Sequence, residues 1–145
     1  MVKYAETEAE IFVELLIYQP IDNAPDLIKA FEAVGVEKEK PVICDSSDKF
    51  KGDKGSVEMV QMLINSGQKA FKVSKTRTVI YWLGSLKSKR INIINNNLSK
   101  KAKLELENYV YKSIHGIQLN EPVDKMNHFI DATRYGHIAW TLSGK

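Results

Sequence analysis

Apolar positions along the chain switch repeatedly between the period of a strand and that of a helix. Val2 to Tyr4 is a short extended piece running into the polar Ala5-Glu6-Thr7-Glu8 turn, and Glu10 to Tyr18, rich in β-branched and aromatic residues, predicts a strand. The pair has the look of a hairpin whose first strand is cut short. Asn23 and Pro25 open a predicted helix that carries Leu27, Ile28, Phe31 and Val34 at helical spacing and closes at Gly35. After the charged Glu37-Lys38-Glu39-Lys40 turn, Pro41-Val42-Ile43-Cys44-Asp45 predicts a buried strand that ends on an acid.

The same alternation continues. Ser46 to Gly55 reads as a polar loop, and Ser56 as the cap of a helix with Val57, Val60, Met62, Leu63 and Ile64 on its apolar side and Gly67 as its stop. Lys69 to Val73 predicts a strand. Thr76 or Thr78 starts a helix with Val79, Ile80, Leu83 and Leu86 turned inward, leading to a strand over Arg90 to Ile94. Asn95-Asn96-Asn97 predicts a turn, Ser99 a cap, Leu98, Ala102 and Leu106 a short helix, and Asn108 to Lys112 another strand. Ile114 to Asn120 reads as a hairpin or loop. Pro122 and Asp124 then signal a last helix beginning near Lys125. Strand alternating with helix predicts an α/β fold, a mixed sheet flanked by helices, in one domain over residues 1–145.

Composition narrows the classes. The chain has 145 residues, 43% of them hydrophobic, enough for a sizeable core. Lys and Arg number 21 against 18 Asp and Glu, a net charge of +3 that alone does not prescribe a nucleic-acid partner. A single cysteine, Cys44, excludes an intrachain disulfide and a cysteine zinc cluster and suits a reducing cytoplasm. No apolar run approaches the roughly 20 residues of a membrane span, and the first residues lack a signal peptide's apolar core, so a soluble cytoplasmic protein is expected. There is no phosphate-binding loop of an ATPase motor and no serine in a glycine-flanked elbow.

The residues that invite chemistry are few. His128 and Asp131, three apart in the predicted last helix, share one face, with Met126, Phe129, Ile130 and Ala132 as apolar neighbours. Asp45 at a strand end and Asp131 on a helix are the candidate ligands of a divalent metal, because hard cations take carboxylate oxygens held by rigid elements. Two metal ions about 4 Å apart would activate a water for attack on a phosphodiester. The plainer alternatives are that Asp45 bonds its own loop, that Asp131 pairs with Arg134, and that His128 is a packed residue. Asp124 reads mainly as a cap, and His115 and His137, without a suitably spaced acidic companion, as structural residues. Lysines cluster at Lys49 to Lys51, Lys69 to Lys75, Lys87 to Arg90 and Lys100 to Lys103, either as a solvated face or as phosphate contacts. Lys72 and Lys75 are the preferred DNA contacts, since they follow a strand on the Asp45 side.

Several of these stretches resemble a known family. Val42-Ile43-Cys44-Asp45-Ser46-Ser47, Glu105-Leu106-Glu107-Asn108-Tyr109-Val110-Tyr111, the Glu10–Gln19 strand with its closing Tyr18-Gln19, and above all Pro122 to Tyr135 look like the C-terminal nuclease domain of tailed-phage terminase large subunits. The family pattern of asparagine-histidine, two residues, aspartate-alanine, one residue, arginine-tyrosine is met by Asn127 to Tyr135 residue for residue. The resemblance implies a ribonuclease H-like fold, metal-dependent (Mg2+ or Mn2+) cutting of concatemeric double-stranded DNA, and, in the full-length protein, partnership with an ATPase motor domain, the portal and the small terminase subunit, in the cytoplasm of a host carrying a phage or prophage. It assigns Asp45 and Asp131 to the second and third catalytic aspartates, and His128 to the histidine one turn before the third.

One departure qualifies what is implied. The family's first catalytic aspartate lies on an opening strand that here begins too late to contain it, and Glu6, Glu8, Glu10 and Glu14 read as solvated or edge-facing acids. The expectation is therefore a fragment or degenerate copy without its ATPase domain and with impaired cleavage. Alternatives are a non-catalytic DNA-binding or portal-docking module, and an unrelated phosphoesterase acting on small nucleotides. A homodimer through the uncovered strand edge is a further expectation.

Overall fold

The computed structural model describes residues 1–45, 49–52, 55–114 and 127–143, with side chains for these except at 49–52, 55–58 and 109–114. The described residues form seven strands and five helices. In chain order these are β1 (Val2–Glu6), β2 (Glu10–Leu15), α1 (Ala24–Ala33), β3 (Val42–Cys44), β4 (Lys49–Gly52), β5 (Gly55–Glu58), α2 (Met59–Asn65), β6 (Ala70–Lys72), α3 (Val79–Lys87), β7 (Arg90–Ile93), α4 (Ser99–Ile114) and α5 (His128–Leu142). The chain divides into two compact units, one of residues 1–18 and 77–145, the other of residues 19–76. The fold is mixed α/β, as the alternation predicts.

In the first unit β1 pairs antiparallel with β2, and β2 pairs parallel with β7, giving a mixed sheet of order β1-β2-β7. β2 alternates: Ile11, Val13 and Leu15 are buried while Phe12 faces outward. Those three pack with Leu83 and Leu86 of α3, Ala102 of α4, and Phe129 and Ile130 of α5. At about 25 cal/mol per Å² of apolar surface removed from water, this cluster is the main stabilising term of the unit. Thr78 is the N-cap of α3, its hydroxyl accepting from the Tyr81 amide at 3.1 Å. Trp82, Leu83 and Leu86 form the inward face of that helix. Val79 and Ile80 are 45% and 63% exposed, a correction to the inward placement expected of them.

Two further expectations change. Residues 108–112 belong to α4 rather than to a strand, because a helix already nucleated over Ser99 to Glu107 extends for one hydrogen bond per residue, which overrides the local β preference of Tyr109, Val110 and Tyr111. The last helix begins at His128, with Asn127 as its N-cap; Pro122, Asp124 and Lys125 lie outside the described residues.

In the second unit Asn23 caps α1, its Oδ1 accepting from the Asp26 amide at 2.9 Å, and Gly35 leaves the helix at φ +75°. β3 and β6 form a parallel pair with Cys44 opposite Lys72. β4 and β5 form an antiparallel hairpin, so Ser56 is a strand residue rather than a helix cap, and the helix that follows starts at Met59. The buried Gln68 amide donates to the Glu37 and Lys40 carbonyls at 3.1 and 2.9 Å, tying the charged turn to the end of α2. No helix of the described residues is long and apolar enough to cross a membrane.

Candidate functional site

α5 is apolar on one side, with Phe129, Ile130 and Ile138 buried, so its first turn presents His128 and Asp131 near the surface. The Asp131 side chain is 34% exposed and its Oδ1 accepts from Nη2 of Arg134 at 3.1 Å. Arg134 is itself buried and lies over the Tyr135 ring, 4.7 Å from its centroid. The pairing one helical turn apart is the one anticipated as the plainer reading of Asp131. His128 is exposed, and its ring meets the edge of Tyr18, 6.2 Å between centroids.

The start of α5 is held from outside. Asn127 makes no side-chain cap bond. Instead Glu105, fully buried on α4, accepts from the Phe129 amide at 2.9 Å and the Ile130 amide at 3.3 Å through Oε1, two of the donors that a helix start leaves unpaired. Its Oε2 accepts from the Tyr18 hydroxyl at 2.5 Å. Burial, with help from this carboxylate, pushes the Tyr18 phenol up to about 12.

A second buried carboxylate organises the other end of α5. Glu6, expected in a solvated turn, is 6% exposed, and His137, expected to lack an acidic companion, receives one from it, Nδ1 lying 3.1 Å from Glu6 Oε1. Lys89 donates to Glu6 Oε2 at 2.7 Å and to the Thr7 carbonyl at 2.9 Å. The Tyr4 hydroxyl lies 3.2 Å from His137 Nδ1, and burial together with Glu6 pushes its phenol well above the usual tyrosine range. A carboxylate can only accept, so His137 carries its proton on Nδ1, and Nε2 accepts from the Ser85 hydroxyl 2.8 Å away. The order serine, histidine, acid is that of a nucleophilic relay, but Ser85 stands inside α3, where the helix's own bonds occupy the neighbouring amides and no paired donors face a developing oxyanion. The cluster ties β1, α3 and α5 together. Neither residue was legible as a pair, since a sequence separation of 131 has no periodic signature.

In the second unit Asp45 follows β3 and is paired with Lys75, Nζ to Oδ1 at 2.7 Å. Lys72, at the end of β6, is exposed. The expected proximity of Lys75 to Asp45 is met, though its ammonium is engaged by that acid. His115 lies outside the described residues.

A divalent ion asks for several oxygen or nitrogen ligands turned to one point. Among the described residues no three His, Cys, Asp or Glu side chains form such a group, and each predicted metal ligand of carboxylate type already holds a cation, Asp131 with Arg134 and Asp45 with Lys75. As arranged within each unit, these residues do not fit a resident Mg2+ or Mn2+. Glu105 and Glu6 are no substitutes, because amides, a phenol, an imidazole and an ammonium occupy their oxygens. No family model matches the chain, and neither curated proteins nor solved structures give a match.

Proposed function

We propose that this chain is the nuclease module of a phage DNA-packaging terminase, a ribonuclease H-like metal-dependent endonuclease acting on double-stranded DNA. The observation that carries the reading is the run Asn127-His128-x-x-Asp131-Ala132-x-Arg134-Tyr135, met in full, together with its place at the start of α5, where His128 is exposed and Asp131 is partly exposed. In this reading Asp45, Asp131 and His128 belong to the cleavage site, Lys72 and Lys75 contact phosphates, Mg2+ or Mn2+ is the cofactor, and an ATPase motor domain, the portal and the small terminase subunit are the partners.

The ion pairs of Asp131 and Asp45 favour a second reading, a DNA-binding or portal-docking module that has the nuclease fold without cleavage. Plasmid nicking decides between the two. Cutting that requires Mn2+ or Mg2+ and is lost in Asp131→Ala and Asp45→Ala supports the endonuclease. Salt-dependent duplex binding with no cutting in either metal supports the binding module. Cutting that persists unchanged in Asp131→Ala overturns the site assignment.

A further inference from the structure

Within the first unit the terminase likeness rests on three stretches far apart in sequence: the strand end at Tyr18, the segment beginning at Glu105, and the run beginning at Asn127. They meet at one hydrogen-bonded junction. The Glu105 carboxylate takes the Tyr18 hydroxyl on one side and the Phe129 and Ile130 amides on the other. Those two amides lie between His128 and Asp131 in the chain, so whatever fixes them fixes the turn that presents both side chains. The helix has no side-chain cap of its own at Asn127 to do this.

We propose that Glu105 and Tyr18 are positioning residues for DNA cleavage, setting the first turn of α5 and with it His128 and Asp131. The inference rests on the nuclease reading above. Glu105 acts through the backbone, because its charge faces the positive end of the helix and its oxygens are committed to amides and a phenol. Tyr18 orients the carboxylate, its hydroxyl donating to Oε2. Glu105→Gln removes the charge and turns one acceptor into a donor that faces amide N–H groups, so the turn loses its anchor.

The test combines backbone amide exchange with Mn2+-dependent duplex nicking on the intact chain. In Glu105→Gln, exchange at Phe129 and Ile130 accelerates, and kcat falls by about tenfold or more with KM for DNA unchanged, as expected of misplaced reacting groups. Tyr18→Phe, which leaves the amide bonds in place, keeps the fold and lowers kcat by about fivefold, the worth of one hydrogen bond. Glu107→Gln, exposed on the same helix, changes neither readout. Wild-type kcat in both variants overturns the proposal, as does unchanged amide exchange in a folded Glu105→Gln protein. A wild-type chain that cuts no DNA, with exchange accelerated in Glu105→Gln, overturns the nuclease reading and the positioning role with it, leaving only the cap.

Discussion

His137 on α5 and Glu6 on β1 are separated by 131 residues and joined by a 3.1 Å hydrogen bond in which both side chains are almost wholly buried. Glu6 also holds the Lys89 ammonium at 2.7 Å, so one carboxylate anchors a helix, a strand and the turn before β7. Removing one member of a buried charged network leaves the others without a partner in a low-dielectric site.

Glu6→Ala is therefore expected to lower stability by about 3 kcal/mol. Urea unfolding followed by circular dichroism measures it. A loss no larger than that of Glu8→Ala, in the exposed turn, would show that the network contributes nothing net.

Two helical glycines are expected to respond oppositely to alanine. A Cβ at Gly136 would stand 2.7 Å from Tyr4 Cγ, a contact that forces α5 away from β1, so Gly136→Ala costs about 1–3 kcal/mol despite better helix propensity. At Gly84, exposed on α3, a Cβ meets nothing within 4 Å, and the same change stabilises by about 1 kcal/mol. Thermal melts of the two variants test the contrast, and stabilisation by both would refute the packing at Tyr4.

Tyr18 gives a pH signature. Its phenol is raised from 10.0 to about 12, first by burial and then by Glu105. The folded state keeps its proton where the unfolded chain has lost it, so this contribution to stability is whole below pH 10 and is lost as pH rises through about 12. Spectrophotometric titration should resolve a late-ionising tyrosine that moves toward the ordinary range in Glu105→Gln. An unmoved titration would separate Tyr18 from Glu105.

The two lysines proposed to meet DNA should differ. Lys72→Ala is expected to weaken duplex binding about equally for all sequences and to reduce the salt slope by about 0.9, one phosphate contact. Lys75 holds Asp45 at 2.7 Å, so Lys75→Ala loses less binding and uncovers a carboxylate. Fluorescence anisotropy over a salt series distinguishes them; equal slopes for both variants and wild type would remove this surface from the DNA interface.

Much of the architecture was legible because its signals are local. Asn23, Thr78 and Gly35 marked helix ends by side-chain capping and by a left-handed turn, and Ile11, Val13 and Leu15 announced a strand with one buried face. The mispredicted pieces also have local causes. Lys49 to Glu58 carries few β-branched residues, and its hairpin arises from pairing across the turn, while Tyr109 to Tyr111 has strand-forming residues on a helix begun ten residues earlier.

The sequence by itself determined the alternation of strand and helix, the apolar face of α5, and the placing of His128 and Asp131 one turn apart, all of which follow from chain geometry over a few residues. Tertiary structure alone decided which acids are buried and what they hold. Glu6 and Glu105 read as two more charges in polar stretches until folding brought His137 and Lys89 to the one, and Tyr18 and the α5 amides to the other. A carboxylate leaves water only where such donors converge, and convergence across the chain is a property of the packed unit.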